Sequence, residues 1–127
     1  MMNTLCGAMR ISASGMTAER FRMDVISSNI ANANTTETAT SQPYRRKSVA
    51  LAPAEEGVQI VGIVEDPRAF PLIPDPSNPD RRIKGSNVNP IEEMVSMIAA
   101  SRAYEANIAA FNSAKGMMRS ALNIGKI

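Results

Sequence analysis

The sequence has few of the residues from which enzymes build active sites. It contains no histidine, no tryptophan, one cysteine, two tyrosines and three phenylalanines. A single cysteine excludes both an internal disulfide framework and a cysteine-based zinc site. The sequence has no histidine, and no serine or cysteine beside an evident base, so it offers no clear nucleophile and base pair for catalysis. We therefore expect a protein that is not an enzyme and that binds no cofactor, metal or small-molecule substrate.

Long apolar runs and a strong charge excess are also missing. No run approaches the roughly twenty apolar residues that cross a bilayer, so we expect no transmembrane segment. Residues 1–18 interrupt their apolar side chains with Asn3, Thr4 and Arg10, which is unlike a cleavable signal peptide. The net charge is only +2, and a nucleic-acid-binding protein is usually more basic. The basic clusters at 45–47 and 81–84 are therefore interpreted as solvated loops, or as partners for the acids of a neighbouring chain.

The last forty residues predict one long helix. Asn89 is a favourable N-cap, Pro90 suits the first helical position, Glu92 completes a capping box, and Gly125 marks the end. Nine residues in alternating steps of three and four predict a seam against another helix: Met94, Met97, Ser101, Tyr104, Ile108, Phe111, Lys115, Met118 and Leu122. The opposite face is mostly alanine and carries Val95, Ala99, Ala103, Ala106, Ala110, Met117 and Ala121.

Residues 4–33 predict a second long helix with two apolar stripes. One stripe repeats the alternating spacing and contains Leu5, Met9, Ser12, Met16, Glu19, Met23, Ile26 and Ile30. The other contains Ile11, Ala18 and Val25. A surface helix of a self-contained monomer normally has one apolar stripe, so two stripes indicate two neighbours. Gly15 within this helix indicates a close backbone approach or a bend, and Asn29, Asn32 and Asn34 are suited to cap its end.

The residues between the helices predict a small extended insert. Residues 34–47 are polar and lack periodicity, residues 48–52 and 58–64 predict two strands, and residues 55–57 suit a hairpin turn. Five prolines between 66 and 80 predict extended structure with few ladder hydrogen bonds. Residues 81–86 are interpreted as a polar connector. Asp75, Asn78 and Asp80 faintly resemble a calcium loop, but they lack its glycine and its final glutamate.

These segments predict a mainly α fold. Two long terminal helices form an antiparallel coiled-coil pair, with a small β-hairpin and a proline-rich extended insert between them. The expected division is 1–36 for the N-terminal helix, 37–86 for the insert and 87–127 for the C-terminal helix. Cys6 fits a small apolar residue on a helix, with a reactive thiol or a cross-link between chains as the alternative.

Several motifs resemble the bacterial flagellar rod and hook proteins. Their N-terminal signature is matched by Ser14 and Gly15, followed by Asn29, Ile30, Ala31 and Asn32. The runs at 43–47, 58–67, 75–80, 87–98 and 100–107 narrow the resemblance to the proximal-rod members. The match covers nearly the whole chain in the right order. One departure is the segment 81–86, which is shorter than the Gly- and Tyr-containing segment usual in the family.

The resemblance implies a structural subunit of the flagellar basal body that self-assembles through its terminal helices. The helices would form a helical tube that transmits torque and encloses the export channel. The implied partners are copies of the chain, other proximal and distal rod proteins, a rod-to-membrane-ring adaptor and the flagellar type III export apparatus. The implied location is the rod crossing the periplasm, reached by export without a cleaved signal peptide. On periodicity alone, a small regulatory coiled-coil protein that binds nucleic acid or a partner helix remains an alternative.

The apolar helix faces are the expected assembly interface. By hypothesis the bulky seams pair within a subunit, while the alanine face and the Ile11, Ala18 and Val25 stripe meet neighbours. The interface residues on the first helix are Leu5, Met9, Ile11, Met16, Ala18, Met23, Val25, Ile26 and Ile30. Those on the second are Met94, Met97, Ala99, Ala103, Tyr104, Ala106, Ile108, Ala110, Phe111, Met118 and Leu122. An open helical array needs such unlike patches.

Overall fold

The computed structural model describes residues 1–125 and has a mainly α architecture, as the sequence predicts. Helix α1 spans Met2–Ala31 and helix α2 spans Pro90–Ile124. Between them lie the strands β1 (Lys47–Ala54), β2 (Gly57–Glu65), β3 (Leu72–Pro74) and β4 (Arg82–Lys84). The last two residues of the predicted 87–127 segment, Lys126 and Ile127, lie outside the described part of the chain.

The two helices pack side by side in opposite directions. Asn29 near the end of α1 hydrogen-bonds Glu93 at the start of α2. The Asn107 side chain lies so close to Gly15 that a Cβ on this glycine would be 2.7 Å from the Asn107 amide. These contacts are fourteen positions apart on each helix, so the pair stays in register over about four turns. The predicted close approach at Gly15 is therefore made by a side chain.

The ends of α2 follow the sequence signals. The Asn89 Oδ1 atom accepts a hydrogen bond from the Ile91 N–H at 3.0 Å, and Pro90 is the first helical residue. Gly125 caps the other end through a hydrogen bond from its N–H to the Ala121 carbonyl. The predicted capping box is only half realised, because the Glu92 carboxylate lies 3.6 Å from the Arg68 guanidinium.

The buried residues of α2 lie one position before members of the predicted seam. They are Glu93, Ala100 and Ala114, where the seam placed Met94, Ser101 and Lys115. The seam residues Met97, Ser101, Tyr104, Ile108, Phe111 and Met118 are half-buried. Met94 and Leu122, which the seam required to be buried, are 53% and 50% exposed. The prediction treated large apolar residues as interior. In the structure, small Ala100 and Ala114 alternate with large residues, which allows the helices to lie close together.

The second apolar stripe of α1 is covered by the hairpin of the same chain. Ala18 and Val25 are 2% and 8% exposed, and Val25 lines a cavity together with Val49 of β1. The hypothesis that these two residues meet a neighbouring subunit is therefore wrong. The two apolar stripes of α1 do contact two neighbouring elements. Both elements, α2 and the β1–β2 hairpin, belong to the same subunit. Only Ile11 of this stripe, at 50% exposure, faces solvent.

The strands β1 and β2 form the predicted antiparallel hairpin, with Lys47 opposite Glu65 and Ala54 opposite Gly57. A β-bulge between Ala50 and Leu51 shifts the register. Gly57 closes the turn at a positive φ of 96°, a conformation that glycine adopts without steric cost. A Cβ at this position would also collide with the Ser14 Oγ atom of α1. The hairpin tip is therefore pressed against α1.

A second small sheet, formed by β3 and β4, was not predicted. It pairs Leu72 with Lys84, Ile73 with Ile83, and Pro74 with Arg82. The interpretation of residues 81–86 as a polar connector is wrong, because this segment contains β4 and buries Ile83 and Ser86. A single isoleucine among charged residues gives no period-2 pattern. Strand β4 forms because Ile83 pairs with Ile73 of β3, at the other side of a proline-containing loop.

Candidate functional site: a polar clasp and the exposed helix faces

Asn29 is the centre of a buried polar cluster that joins the helices to the insert. Its side chain has no exposed surface. The Nδ2 group donates to the Lys47 carbonyl at 2.7 Å and to Glu93 Oε2 at 3.1 Å. Its Oδ1 atom accepts from the Tyr44 hydroxyl at 2.9 Å and from the Lys47 N–H at 3.1 Å. Both donors and both acceptor sites are thus used, as burial of an amide requires.

The expected capping role belongs to Asn32 instead. Its Nδ2 group donates to the Ser28 carbonyl at 2.8 Å, and its φ of −105° is not left-handed. The sequence could not separate these two asparagines, because both lie at the C-terminal end of α1, Asn29 in its last turn and Asn32 as the residue that follows it. Asn29 differs only in its phase, which places it one turn beyond the buried Val25 and Ile26.

Glu93 forms an ion pair with Arg46. The Arg46 Nε group donates to Glu93 Oε1, and the Glu93 side chain is fully buried. The Arg46 guanidinium also lies 3.4 Å from Asp66 Oδ2. The sequence explained Glu93 by the favourable field at a helix N-terminus, and it does occupy the first turn of α2. Its main partner is nevertheless an arginine that is distant in sequence.

Asp66 and Asn87 extend this cluster to the loops around the hairpin. Arg68 donates from its side chain and from its backbone N–H to Asp66. These hydrogen bonds hold the pKa of Asp66 below its usual value and raise the pKa of Arg68. Asn87 accepts from the Arg46 N–H at 2.6 Å. We call the connected side chains the polar clasp; they are Asn29, Tyr44, Arg46, Asp66, Asn87 and Glu93.

Arg45 and Arg46, in the basic cluster at 45–47, make contacts within the subunit. Arg45 lies over the Phe70 ring at 4.2 Å and donates to the carbonyls of Asp66 and Arg68. Arg46 belongs to the polar clasp. The interpretation of these two arginines as a solvated loop, or as partners for the acids of a neighbour, is therefore wrong. Their engagement also leaves less positive charge for a nucleic-acid surface.

The motif residues of α1 hold the hairpin as well as α2. Ser14 Oγ donates to the Ile11 carbonyl at 2.7 Å and accepts from the Val58 N–H at 3.2 Å. Gly15 receives Asn107 of α2. Ile30 and Asn32 are half-buried, and Ala31 is exposed. Ser14, Gly15 and Asn29 therefore act in packing between elements.

The predicted interface residues divide into buried and exposed groups. Ala18, Val25 and Ile26 are buried, and Ile11, Met94, Ala99, Ala106, Ala110 and Leu122 are exposed. The remaining ones are half-buried, namely Leu5, Met9, Met16, Met23, Ile30, Met97, Ala103, Tyr104, Ile108, Phe111 and Met118. Of the exposed alanines, Ala99 also lines the cavity beside Val25 and Val49 of the same chain, and the assignment of Ala106 and Ala110 to an interface stays a prediction.

Large apolar side chains add to this exposed surface. Ile91, Val95 and Ile98 of α2 are 72%, 62% and 57% exposed, and the sequence analysis left Ile91 and Ile98 unassigned. Strand β2 exposes Val58, Ile60, Val61, Ile63 and Val64. Ile91, Val95 and Ile98 lie about one turn apart on one side of α2, and an exposed apolar patch of this kind marks a site of interaction with other proteins.

Other candidate sites have structural explanations. The carboxylate of Asp75 and the amide oxygen of Asn78 accept backbone N–H groups of their own loop. Residues 1–125 contain no group of three or more metal-ligating side chains, and neither helix has an apolar stretch long enough to cross a bilayer within that range. Cys6 is half-buried in α1, so both interpretations of this residue stay open.

Two stretches of the sequence, one in each terminal part of the chain, match family models of flagellar proteins. Residues 9–37 match the model described as Flagella basal body rod protein. Residues 81–124 match the one described as Flagellar basal body rod FlgEFG protein C-terminal. The helices and the N-terminal motif thus place the chain in the class of flagellar rod proteins.

Similar proteins of known identity narrow the class to one family. The chain is 40% identical to the flagellar basal-body rod protein FlgC of Bacillus subtilis and to that of Borreliella burgdorferi, over 94% of this chain and 97% of each relative. It is 35% identical to FlgC of Salmonella typhimurium, over 91% of this chain and 94% of the relative. The chain belongs to the FlgC family. It is a structural subunit of the flagellar basal-body rod and not an enzyme.

The alignment with the Bacillus subtilis protein extends over 145 residues, whereas this chain has 127. The relative therefore contains residues without a counterpart here. This agrees with the departure from the family pattern that the sequence showed, although the alignment length does not fix its position.

Proposed function

We propose that the subunit assembles into the rod through its two terminal helices, which act as an antiparallel coiled-coil pair. The buried residues of α2, Glu93, Ala100 and Ala114, are separated by multiples of seven positions, which supports this pairing. So do the two register-preserving contacts, Asn29 with Glu93 and Gly15 with Asn107. The outward side of α2 is then free to meet a neighbouring subunit.

The observation that carries this proposal is the apolar surface that the folded chain leaves in water. Ile91, Val95 and Ile98 follow one another on α2 in steps of four and three, and each is more than half exposed. Burial of such side chains stabilises an interface by about 1.5–3 kcal/mol each. An open helical array needs a heterologous contact, in which this surface meets a different surface of the next copy. The array forms the tube that transmits torque and encloses the export channel.

The partners and the location follow from membership of the family. The subunit contacts copies of itself, other proximal and distal rod proteins and a rod-to-membrane-ring adaptor. It is delivered by the flagellar type III export apparatus without a cleaved signal peptide, and its rod crosses the periplasm. A regulatory coiled coil that binds nucleic acid is disfavoured, because Arg45 and Arg46 are engaged within the subunit.

Substitution at the alanine face tests the assembly surface. Ala106 is exposed on α2, so Ala106→Glu leaves the folded subunit intact but places a charge at the interface. We expect export to continue and rod assembly to stop, measured by secretion of the subunit and by electron microscopy of basal bodies. Ala106→Ser is the control and retains rods. Normal rods with Ala106→Glu would show that this face is not an interface.

A further inference from the structure

A cavity of about 260 Å³ lies where α1, the start of β1 and α2 meet. This volume is far above the roughly 30 Å³ that one water molecule occupies in the liquid. Among the described residues, no acidic side chain lines it. Apolar groups form part of its wall, and its polar lining consists of cations and hydroxyls, namely Arg22, Arg46, Lys47, Ser48 and Ser96. We call this cavity the cationic notch.

Two of the three cations of the notch are poorly matched within the subunit. Arg46 is engaged with Glu93 and Asp66 of the polar clasp. Arg22, by contrast, lies with its Nε atom 3.7 Å from the Glu19 carboxylate, and the facing Glu19 oxygen accepts no hydrogen bond. The guanidinium of Arg22 therefore keeps donors for a further acceptor.

Lys47 has no carboxylate at ion-pair distance within residues 1–125. Its ammonium group lies 5.7 Å from the centre of the Tyr44 ring. Glu65 is opposite Lys47 in the hairpin, but it is exposed and forms no ion pair with it. An ammonium and a guanidinium beside a partly apolar cavity suit a carboxylate on a short apolar stem, which is the chemistry of a glutamate side chain.

A carboxylate of this kind is present on α2, at Glu105. It is exposed and forms no ion pair within residues 1–125, not even with Arg102, three positions before it. Ile91, Ile98 and Glu105 are spaced by seven positions and therefore follow one line along the helix. Burial of the two isoleucines against a neighbour would take the Glu105 carboxylate out of water as well, and a buried charge needs a partner of opposite sign.

The notch and Glu105 lie on different sides of α2. Ser96 and Ala99 line the notch, and they are nine and six positions before Glu105. At about 100° per residue, these spacings place Glu105 roughly 120–180° around the helix from the notch. A subunit therefore cannot fill its own notch with its own Glu105. It can donate Glu105 on one side and accept a carboxylate on the other.

We propose that Glu105 of one copy of this chain inserts into the cationic notch of the next copy, where its carboxylate pairs with Arg22 and Lys47. The proposal rests on the assembly function above and names one contact of that assembly. With the two α2 helices parallel, the neighbours are offset by six to nine residues, or about 9–14 Å along the axis. The contact is heterologous and repeats in one direction. The side of α2 between donor and acceptor, turned away from α1, can then enclose a central space.

Exchange of the two charges tests the contact. Glu105→Lys should abolish rods, because it brings a further cation to Arg22 and Lys47. Lys47→Glu should also abolish them, because two carboxylates would then meet. The double variant, Glu105→Lys with Lys47→Glu, should restore rods, since the opposite charges face each other again. Electron microscopy of basal bodies counts the rods, and circular dichroism of each purified subunit checks the fold.

Glu55→Lys is the matched control for the charge change. Glu55 is an exposed glutamate in the hairpin turn, and it forms no ion pair within residues 1–125, so this variant should keep its rods. Normal rods with Glu105→Lys would overturn the contact. So would a double variant that folds as stably as the unaltered subunit and still gives no rods.

Disulfide cross-linking gives a second readout that does not depend on the stability of the Lys47 variants. Rods are assembled mainly from the Cys6→Ser chain, with two tagged minority variants added in the same background, one carrying Ser96→Cys and the other Glu105→Cys. We expect a disulfide-linked dimer that contains one copy of each variant. Ser120→Cys in place of Glu105→Cys is the control and gives no dimer, because Ser120 is about four turns farther along α2.

The outcomes separate this contact from the assembly function. Rods that contain both minority variants but no mixed dimer, or an equal dimer with Ser120→Cys, would overturn the insertion of Glu105 and leave the rod function standing. Absence of rods from the unaltered chain would instead count against assembly by this chain.

Discussion

Glu93 and Arg46 are forty-seven positions apart in the sequence and form an ion pair in which the carboxylate is fully buried. The pair connects the first turn of α2 to the segment that leads into the hairpin. Asn29 donates to the other oxygen of the same carboxylate. One glutamate therefore links α1, the insert and α2.

Removal of this carboxylate should be strongly destabilising. For Glu93→Ala we expect a loss of about 3–5 kcal/mol in the free energy of unfolding, because Arg46 is left without its buried partner. Urea denaturation measures the loss. Glu92→Ala is the matched control, since Glu92 is the adjacent, exposed glutamate. It should change stability by no more than about 0.5 kcal/mol, and equal effects for both variants would refute the role of the clasp.

The two glycines of α1 should respond differently to alanine. Gly7→Ala should raise stability by about 1 kcal/mol, because it improves helix propensity and meets open space. Gly15→Ala should give less of this gain, because its Cβ forces the Asn107 amide, 2.7 Å away, to move and to give up its hydrogen bond to the Ala103 carbonyl. Thermal denaturation compares them. An equal gain from both variants would contradict the close approach of Asn107 to Gly15.

The hairpin turn should not tolerate a side chain. Gly57→Ala places a Cβ against Ser14 Oγ at a positive φ, and we expect a loss of about 1–3 kcal/mol from the strained backbone. Amide hydrogen exchange should show faster exchange in β1 and β2 than in the helices. Gly62→Ala in β2 is the control, because its Cβ meets nothing within 4 Å. Unchanged protection of the hairpin in Gly57→Ala would mean that the tip is not held by α1.

Asp66 should contribute to acid sensitivity. Hydrogen bonds from the side chain and the backbone N–H of Arg68 lower the pKa of Asp66 below its ordinary value of 3.8. A carboxyl group whose pKa is lower in the folded state stabilises the fold above the unfolded pKa, and this contribution is lost as the pH falls through the folded pKa. Stability measured from about pH 5 down to about pH 2 should therefore fall less steeply in Asp66→Asn. An identical slope in both proteins would exclude this contribution.

Part of the candidate site could be anticipated from the residues. Asn89 and Pro90 predicted the start of α2, because helix capping depends on residues that are adjacent in the sequence. The exposed alanine face was identified because residues at helical spacing share a side. The polar clasp was not anticipated, since Asn29, Arg46 and Glu93 are far apart in the chain. A charged residue one turn before Met97, in phase with the buried stripe, was the only signal available for Glu93.

The sequence by itself determined the two long helices, their ends and the main hairpin, because periodicity, caps and turn glycines act over a few residues. Only the tertiary structure decided which stripe of each helix is buried. The hairpin packs on α1 on the side of the buried Ala18 and Val25. The small buried residues Ala100 and Ala114 let the two helices lie close together. These choices depend on shape complementarity between distant segments, and residue periodicity carries no information about which neighbour fills a given face.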